Sequence, residues 1–350
     1  MRRHKKRRDT EPALCNSAKS FFKPVKTFLD KTGRAAIIKK IDRRLGAIIG
    51  DDLPVFTDAR KFVVKSGGKR IRPLTHYYFC QLLGYSGDEW LDVGAIGELI
   101  HAASLLHDDV IDLSDSRRGL PAFHVTEGNK RTILTGDFLL ACGLDHLQSL
   151  PHGFQLLGVF TRVIKNLSVG EILQMEHETK FETDATIYER IVLGKTASLF
   201  GAMTEGAGIL AGVDAAQRTR LRDFGLRMGR LFQVRDDYLD YFAAREKLGK
   251  EPFADFQRGL VTHPLIRLRE ELKAKDRKRL QSLWKNRDAN EAVEEVSDLF
   301  TRAGLKRRLA IEIEEEIHAL MNYVRAFPVS GVRDEILSTL STLLVPVTQD

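Results

Sequence analysis

Two acidic clusters of the form DDxxD lie in apolar segments of the chain, at residues 108–112 and 236–240. If these segments are helical, residues i and i+4 share a face and residue i+1 lies beside them, so each cluster directs two or three carboxylates toward one point. Burying unpaired carboxylates is costly, and a divalent cation removes that cost. Mg²⁺ fits best because it combines one or two protein carboxylates with waters and substrate phosphates. The spacing therefore predicts a magnesium site for a diphosphate, with these candidate ligands: Asp108, Asp109, Asp112, Asp236, Asp237 and Asp240.

Candidate phosphate-binding cations lie on either side of the first acidic cluster. Upstream, a glycine pair is followed by Lys69 and Arg72 just before a predicted helix, and downstream Arg117 and Arg118 form a pair. Arginine suits this role because its guanidinium can bind two phosphate oxygens at once. His101 lies two helical turns before the cluster, where it could donate a hydrogen bond to a second phosphate group. For His101 alone, a hydrogen-bonded core histidine is the simpler alternative.

The tripeptide Gly194-Lys195-Thr196 has the composition of the end of a P-loop. A P-loop requires a further glycine five positions earlier, where this chain has Glu189, and it follows a strand, whereas this segment lies in a helical pattern. We therefore exclude a Walker motif. Lys195 and Thr196 remain candidates for a charge and a hydroxyl that point into a helical bundle, with an ordinary surface lysine as the alternative.

Helical periodicity dominates the sequence after residue 34, since apolar residues recur at spacings of three and four. The segment 94–113 is apolar on almost every side, which is typical of a helix buried inside a bundle. We therefore predict an all-α fold, a large bundle of about ten or more helices. The clearest helices are predicted at 35–49, 94–113, 164–175, 187–210, 221–242 and 305–324, with a further helical segment from Ala243 onward.

The net charge of +7 is concentrated at the N-terminus, where residues 1–10 carry six Lys and Arg side chains against Asp9. Such an arm could contact anionic lipid or nucleic acid, although a disordered, solvated arm explains it equally well. No Pro-, Gly- or Ser-rich linker divides the rest of the 350-residue chain. We therefore predict a basic N-terminal arm at 1–34 and one helical domain at 35–350, with no nucleic-acid partner.

The sequence lacks signals for secretion or membrane insertion, since no apolar run approaches the ~18–20 residues of a membrane-spanning helix. Asp9 and Glu11 argue against a mitochondrial transit peptide, which is usually poor in acidic residues. The three cysteines, Cys15, Cys80 and Cys142, form no CxxC pair and indicate reduced thiols. These features predict a cytoplasmic protein, with at most a peripheral membrane contact, and an organelle is the alternative location.

Seven motifs, occurring in order, resemble those of the all-trans polyprenyl diphosphate synthases, a family of the isoprenoid synthase class. The resemblance implies the type I isoprenoid synthase fold, with an active-site cavity between the two DDxxD helices, and a magnesium-dependent prenyltransferase. The match is specific because so many motifs keep their order. They are GGKRIRP at 67–73, HAASLLHDDVIDLSDSRRG at 101–119, GDFLL at 136–140, GEILQ at 170–174, KTA at 195–197, FQVRDDYLDY at 232–241 and GK at 249–250.

The same resemblance implies a role for each motif residue. The six DDxxD carboxylates would hold three Mg²⁺ ions around an allylic diphosphate, namely geranyl, farnesyl or geranylgeranyl diphosphate. All of these carboxylates except that of Asp240 would form the catalytic set, together with Lys195. The side chains that would bind the allylic diphosphate are Arg117, Lys195, Thr196, Gln233 and Lys250, and those that would bind isopentenyl diphosphate are Lys69, Arg72, His101 and Arg118. Because the family is commonly dimeric, a homodimer is also implied.

The implied reaction is a head-to-tail condensation that needs no side-chain nucleophile. Magnesium and cations stabilise the departing diphosphate, an allylic carbocation forms in an apolar cavity, and the isopentenyl double bond attacks it. Ala103 and Ser104 lie about one turn deeper than Asp108, where side chains in this family cap the hydrocarbon tunnel. Because both are small, the resemblance implies a medium or long-chain product of C20 or longer, for quinone or other isoprenoid biosynthesis.

Three positions depart from the family pattern and bear on substrate preference. Leu260 follows Gly259 where a second lysine is usual, Phe253 stands where glycine is common, and Leu120 replaces a frequent lysine. A missing phosphate contact could cost ~1–3 kcal/mol, or roughly 5–150-fold in affinity. We expect the enzyme to remain active despite these changes.

Three other functions fit part of the sequence. A class I terpene cyclase would ionise a diphosphate with the same metals, but it leaves the cations of the isopentenyl site unexplained. A non-catalytic helical partner of a prenyltransferase should have lost aspartates, and all six are present. A helical scaffold with charged helix ends would not place acidic and basic motifs in this order. The synthase therefore explains more of the motifs than any alternative.

Overall fold

The computed structural model describes residues 31–50, 54–65, 68–117, 120–243 and 252–345. Within these ranges the chain forms sixteen α-helices, one π-helical segment and a hairpin of two-residue strands, which confirms the all-α prediction. The helices are α1 (Lys31–Ile49), α2 (Pro54–Lys65), α3 (Ile71–Leu82), α4 (Glu89–Ile111), α5 (Phe123–Glu127), α6 (Asn129–Gln148), α7 (Gly153–His177), α8 (Ala185–Val192), α9 (Ser198–Leu210), α10 (Ala215–Phe242), α11 (Ala254–Arg258), α12 (His263–Glu271), α13 (Ala274–Lys285), α14 (Asn290–Arg302), α15 (Leu305–Arg325) and α16 (Gly331–Ser341).

Helix α4 lies in the centre of the bundle and carries the first acidic cluster at its C-terminal end. It packs against α1, α3, α6 and α9, and Ile96, Leu99 and Ile100 are fully buried. Helix α10 carries the second acidic cluster and packs along α9. Both motif-bearing helices therefore rest on α9, which sets their relative position.

Several helix boundaries differ from the sequence prediction, and three of them bear on the site or on the predicted arm. The prediction of a helix over 187–210 is wrong in one detail, because a π-helical segment at Leu193–Ala197 separates α8 from α9. The prediction that helix continues from Ala243 is also wrong at that residue, since α10 ends at Phe242 and Ala243 has an extended backbone with ψ of 145°. At the other end of the chain, α1 begins at Lys31, and residues 1–30 of the predicted arm lie outside the described residues.

The hairpin pairs β1 (Ser116–Arg117) with β2 (Leu120–Pro121) just after the first acidic cluster. Cys80 is buried and Cys142 is partly buried, both with free thiols, whereas Cys15 lies outside the described residues. Among the described helices, none combines the length and the apolar character needed to cross a bilayer.

Candidate active site

Two cavities adjoin at Thr196 and Gln233, which line both of them. The first, which we call the acidic cavity, has a volume of about 250 Å³ and is lined by Asp112, Asp237 and Asp255. The second, the basic cavity, has a volume of about 1090 Å³. Its charged lining includes Lys69, Arg72 and His101, together with Arg34, Arg70, Arg235, Glu98 and Asp236.

The aspartates of the first cluster have different surroundings. Asp109 is fully buried, whereas Asp112, the C-cap of α4, lines the acidic cavity. Asp108 lies near Lys195 and Glu171. Burial raises the pKa of Asp108 to about 7 against the opposing effect of Lys195, and the negative charge of Glu171 adds to the rise.

The three aspartates of the second cluster also have different surroundings. Asp237 is buried and accepts hydrogen bonds from Oη of Tyr188 at 2.5 Å and from Nε2 of Gln233 at 2.9 Å. Burial raises the pKa of Asp237 to about 7. Asp236 faces the basic cavity, and Asp240 is fully buried. Asp237 is therefore the member of this cluster that shares the acidic cavity with Asp112.

The π-helical segment positions Lys195 and Thr196 at the junction of the two cavities. Its second residue, Gly194, packs so closely on α7 that a Cβ atom added to it would lie 2.6 Å from the carbonyl oxygen of Asn166 and 2.9 Å from Cα of Gly170. A π-turn of this kind widens the helix locally and is frequent at functional sites. Nζ of Lys195 forms an ion pair with a carboxylate oxygen of Glu171.

A chain of side-chain hydrogen bonds runs along the wall between the cavities. Oγ1 of Thr196 donates to Oε1 of Gln233 at 2.9 Å, and Nε2 of Gln233 donates to Oδ1 of Asp237 at 2.9 Å. The amide of Gln233 is thereby held in one orientation. These hydrogen bonds therefore fix the side chains of Thr196, Gln233 and Asp237 relative to one another.

Arg70 anchors the glycine-rich loop that carries Lys69 and Arg72. Its backbone is left-handed, with φ of 46°, and its buried guanidinium donates to Oε1 of Glu98 at 2.7 Å and to Oδ1 of Asp42 at 3.1 Å. The charge of Arg70 is thus paired with carboxylates inside the protein. Its neighbours Lys69 and Arg72 line the basic cavity. The guanidinium carbon of Arg72 lies 5.0 Å from the ring centre of Phe200 on α9, in a cation–π contact.

The structure does not describe the side chains of three predicted site residues. Arg117 lies in β1 with an undescribed side chain, while Arg118 and Lys250 lie outside the described residues. Ala103 is fully buried in α4, and Oγ of Ser104 donates to the carbonyl oxygen of His101 at 2.9 Å. The chain-length role of these two residues stays a prediction.

Several residues in or beside the acidic cavity were not singled out by the sequence patterns. Glu171 occurs in the GEILQ motif, so the motif itself was a signal, but its contact with Lys195 required the fold. Asp255 and Arg258 follow the GK pair and line the acidic cavity, where Nη2 of Arg258 lies 3.2 Å from Oδ1 of Asp112. No sequence signal singled out Tyr188.

The carboxylates suit a hard divalent cation. Within the ranges that the structure describes, no three His, Cys, Asp or Glu side chains converge into a complete metal cage. Mg²⁺ needs no such cage, because it is commonly bound by one or two carboxylates, waters and substrate phosphates. The oxygen donors of Asp108, Asp112 and Asp237, two of them with pKa values raised by burial, fit such an ion.

Comparison with known proteins gives one consistent family. The model of the polyprenyl synthetase family matches residues 54–301. The chain is 30% identical over 301 residues to octaprenyl diphosphate synthase of Haemophilus influenzae, covering 86% of this chain and 91% of that protein. It is 32% identical over 317 residues to the chloroplastic solanesyl diphosphate synthase 1 of Arabidopsis thaliana, covering 86% and 75% of the two chains.

Solved structures of similar fold include a polyprenyl synthase from Caulobacter crescentus in complex with calcium and isoprenyl diphosphate. It superposes with a TM-score of 0.77 at 28% identity and covers 90% of this chain and 96% of that one. A decaprenyl diphosphate synthase from Rhodobacter capsulatus superposes with a TM-score of 0.78 at 26% identity, covering 89% and 96%.

Proposed function

Because the chain belongs to the polyprenyl synthetase family, we propose that its two adjoining cavities condense isopentenyl diphosphate head-to-tail with an allylic diphosphate. The chain is a prenyltransferase, an all-trans synthase of medium or long-chain prenyl diphosphates, like its octaprenyl, solanesyl and decaprenyl relatives. The observation that carries the proposal is the junction of an acidic and a basic cavity at Thr196 and Gln233. Two diphosphates bound on either side of this wall would have their hydrocarbon groups side by side.

The acidic cavity is the proposed site of the allylic diphosphate. Asp108, Asp112 and Asp237 would hold Mg²⁺, which supplies positive charge to the departing diphosphate when bound. Lys195, held at the edge of the site by Glu171, would bind the diphosphate oxygens. Thr196 and Gln233 complete the proposed contacts, and we keep Asp109, Asp236, Asp240, Arg117 and Lys250 as further candidates of this site.

The basic cavity is the proposed site of isopentenyl diphosphate. Lys69, Arg72 and His101 supply donors for its phosphates, with Arg118 as a further candidate beyond the described residues. This excess of cations supports a second diphosphate, which a class I cyclase would not need. The walls also contain Phe200 and Phe232, whose rings would exclude water from the region next to the allylic carbon.

The proposed reaction breaks the allylic carbon–oxygen bond, and its electron pair leaves with the diphosphate. The isopentenyl double bond then forms a new carbon–carbon bond with the allylic cation, and transfer of a proton to the released diphosphate restores a double bond. The product is longer by one isoprene unit. Small side chains at Ala103 and Ser104 are proposed to leave room for a product of C20 or longer.

We infer a homodimer from an apolar face on the hairpin of α6 and α7. Ile133 and Leu134 are exposed near the start of α6, and Val169, Ile172 and Met175 are exposed near the end of α7. The two helices are in contact and are joined by only four residues, 149–152, which is typical of an antiparallel hairpin with these side chains at one end. Exposed apolar clusters of this kind mark interaction sites, and a second copy presenting the same face would cover it.

The division of substrates between the cavities can be tested by replacing one cation of the basic cavity. We expect Arg72→Ala to raise the KM for isopentenyl diphosphate roughly tenfold or more, because a charged hydrogen bond to phosphate is lost, and to leave the allylic KM unchanged. Arg279→Ala, which removes a surface ion pair with Glu295, is the control. An equal rise in both KM values would contradict the assignment.

A further inference from the structure

Arg258 places a guanidinium at the rim of the acidic cavity, although the sequence motifs did not single it out. It is the last residue of α11, and its Nη2 lies 3.2 Å from Oδ1 of Asp112 at the end of α4. The Arg258 side chain is 47% exposed, so the guanidinium can change partners without disturbing the core. Both partners of this ion pair line the acidic cavity.

The backbone around Arg258 is nevertheless firmly held. The amide of Asp255 donates to Oδ2 of the buried Asp240 at 3.1 Å. At the other end of α11, the carbonyl oxygen of Gly259 accepts a hydrogen bond from the amide of Thr179 at 2.8 Å. Arg258 is therefore presented to the cavity from a fixed turn rather than from a free loop.

The negative charges that line the acidic cavity make a cation at this position important for binding a diphosphate. Among its described lining residues, the carboxylates of Asp112, Asp237 and Asp255 accompany two permanent cations, Lys195 and Arg258. A diphosphate would add further negative charge, and a charge buried without partners is costly. Each cation of the lining therefore bears directly on substrate affinity.

Leu260 lines the same cavity two positions after Arg258 and brings no charge. We propose that Arg258 is a cationic ligand of the allylic diphosphate in addition to Lys195, exchanging its ion pair with Asp112 for two hydrogen bonds to diphosphate oxygens. Arginine is suited to this exchange because its planar guanidinium binds carboxylate and phosphate oxygens with the same fork of donors. The exchange frees the Asp112 carboxylate for Mg²⁺. This inference rests on the proposed function of the acidic cavity.

Binding of inorganic pyrophosphate in the presence of Mg²⁺, measured by calorimetry on the full chain, tests the inference without turnover. We expect Arg258→Ala to weaken binding roughly tenfold and Arg258→Lys to weaken it less, since lysine keeps the charge but loses the bidentate geometry. Arg162→Ala is the matched control, because Arg162 is 55% exposed and forms an ion pair with Glu205 at 3.0 Å. Its affinity should equal that of the wild type.

Kinetics and a rescue variant separate a binding role from a structural one. Arg258→Ala should raise the KM for the allylic substrate and not that for isopentenyl diphosphate, and Leu260→Lys in the same chain should restore much of the loss. If Arg258→Ala bound pyrophosphate as tightly as the wild type, the inference would be overturned. An equal rise in both KM values together with a lower melting temperature would also overturn it, since that result indicates a structural role. If the wild type binds pyrophosphate through Arg258 but elongates no allylic diphosphate, the proposed function fails and the Arg258 site stands.

Discussion

At the scale of single residues, the two DDxxD clusters have the same spacing but not the same geometry. Asp112 and Asp237 line one cavity, Asp236 lines the other, and Asp109 and Asp240 are fully buried. The spacing predicted carboxylates on a common helical face, but it could not show which of them would be covered by neighbouring helices. That outcome depends on packing partners distant in sequence.

Asp237→Asn tests the metal role of a buried carboxylate. We expect turnover to fall roughly 100-fold or more, because the amide cannot replace a charged oxygen ligand beside the departing diphosphate. The metal-free variant should unfold at the same or a higher urea concentration than the wild type, since burial disfavours the Asp237 carboxylate. Asp223→Asn, on the exposed face of the same helix, is the control. Near-normal turnover of Asp237→Asn would contradict the assignment.

At the scale of elements, short irregular segments position the reactive groups that the long helices carry. The π-helical segment at 193–197 directs Lys195 and Thr196, and α11 brings Arg258 to the cavity. Phe253, which precedes α11, has φ of 63°, the left-handed region that favours glycine. Its ring compensates by packing edge-on against Tyr241 at 5.0 Å. The departure from glycine noted in the sequence therefore keeps the turn and adds an aromatic contact.

Gly194→Ala should disturb the π-helical segment. The added methyl group would overlap the backbone of α7, so we expect a loss of about 1–3 kcal/mol in the free energy of unfolding and a displaced Lys195. Gly158→Ala is the control, since a Cβ atom there meets nothing within 4 Å and α7 is helical at that position. That variant should be stabilised by about 0.5–1 kcal/mol. Urea unfolding of both variants measures the difference, and equal stability would contradict the close approach of the two helices.

Long elements were predictable from the sequence, and these short ones were not. Helix α4 follows from residues that are apolar on every side, and α15 from apolar spacings of three and four. The π-helical segment depends on Gly194 meeting Gly170, and α11 depends on a hydrogen bond to Asp240 from fifteen residues away. Such contacts join residues that are distant in the sequence, so the periodicity of a local segment cannot predict them.

At the scale of the whole molecule, one helical body presents the two cavities and the apolar hairpin face of α6 and α7. The proposed dimer would bury this face and leave the acidic and basic cavities open, since none of the five exposed apolar residues lines either cavity. Leu134, which is 67% exposed, is the most accessible of them on α6.

Leu134→Glu should weaken the proposed dimer, because a carboxylate would be buried in an apolar interface on both subunits. We expect light scattering after gel filtration to give the mass of a dimer for the wild type and a monomer fraction for the variant. Val329→Glu changes an apolar residue that is 80% exposed elsewhere and is the control. A wild-type monomer would contradict the dimer, and binding to anionic vesicles that Leu134→Glu abolishes would assign the face to a membrane surface.

The stability of the fold should depend on pH through His76. Burial lowers the pKa of His76 from 6.5 to about 4, against a hydrogen bond between Nδ1 and the Met203 carbonyl oxygen at 2.7 Å. In the unfolded chain the His76 imidazole therefore binds a proton below pH 6.5, whereas in the folded chain it does so only below about pH 4. Neutral His76 therefore contributes up to about 3 kcal/mol to the free energy of unfolding. This contribution is fully present above the unfolded pKa of 6.5 and is lost as the pH falls toward the folded pKa of about 4.

His76→Asn, which keeps a donor for the Met203 carbonyl, isolates this contribution. Urea unfolding at several pH values between 4 and 6.5 should give a smaller loss of stability for the variant than for the wild type. Parallel pH profiles for the two proteins would show that His76 does not titrate as its burial requires.

The central claim is that the two cavities join isopentenyl diphosphate to an allylic primer, and product analysis tests it most directly. Purified protein would be incubated with Mg²⁺, labelled isopentenyl diphosphate and farnesyl or geranylgeranyl diphosphate, and the dephosphorylated products would be sized by chromatography. We predict a magnesium-dependent ladder of labelled products that ends in one dominant chain of C20 or longer. Diphosphate release without incorporated label would contradict the claim and indicate a cyclase, and no reaction with any primer would indicate a subunit that needs a partner.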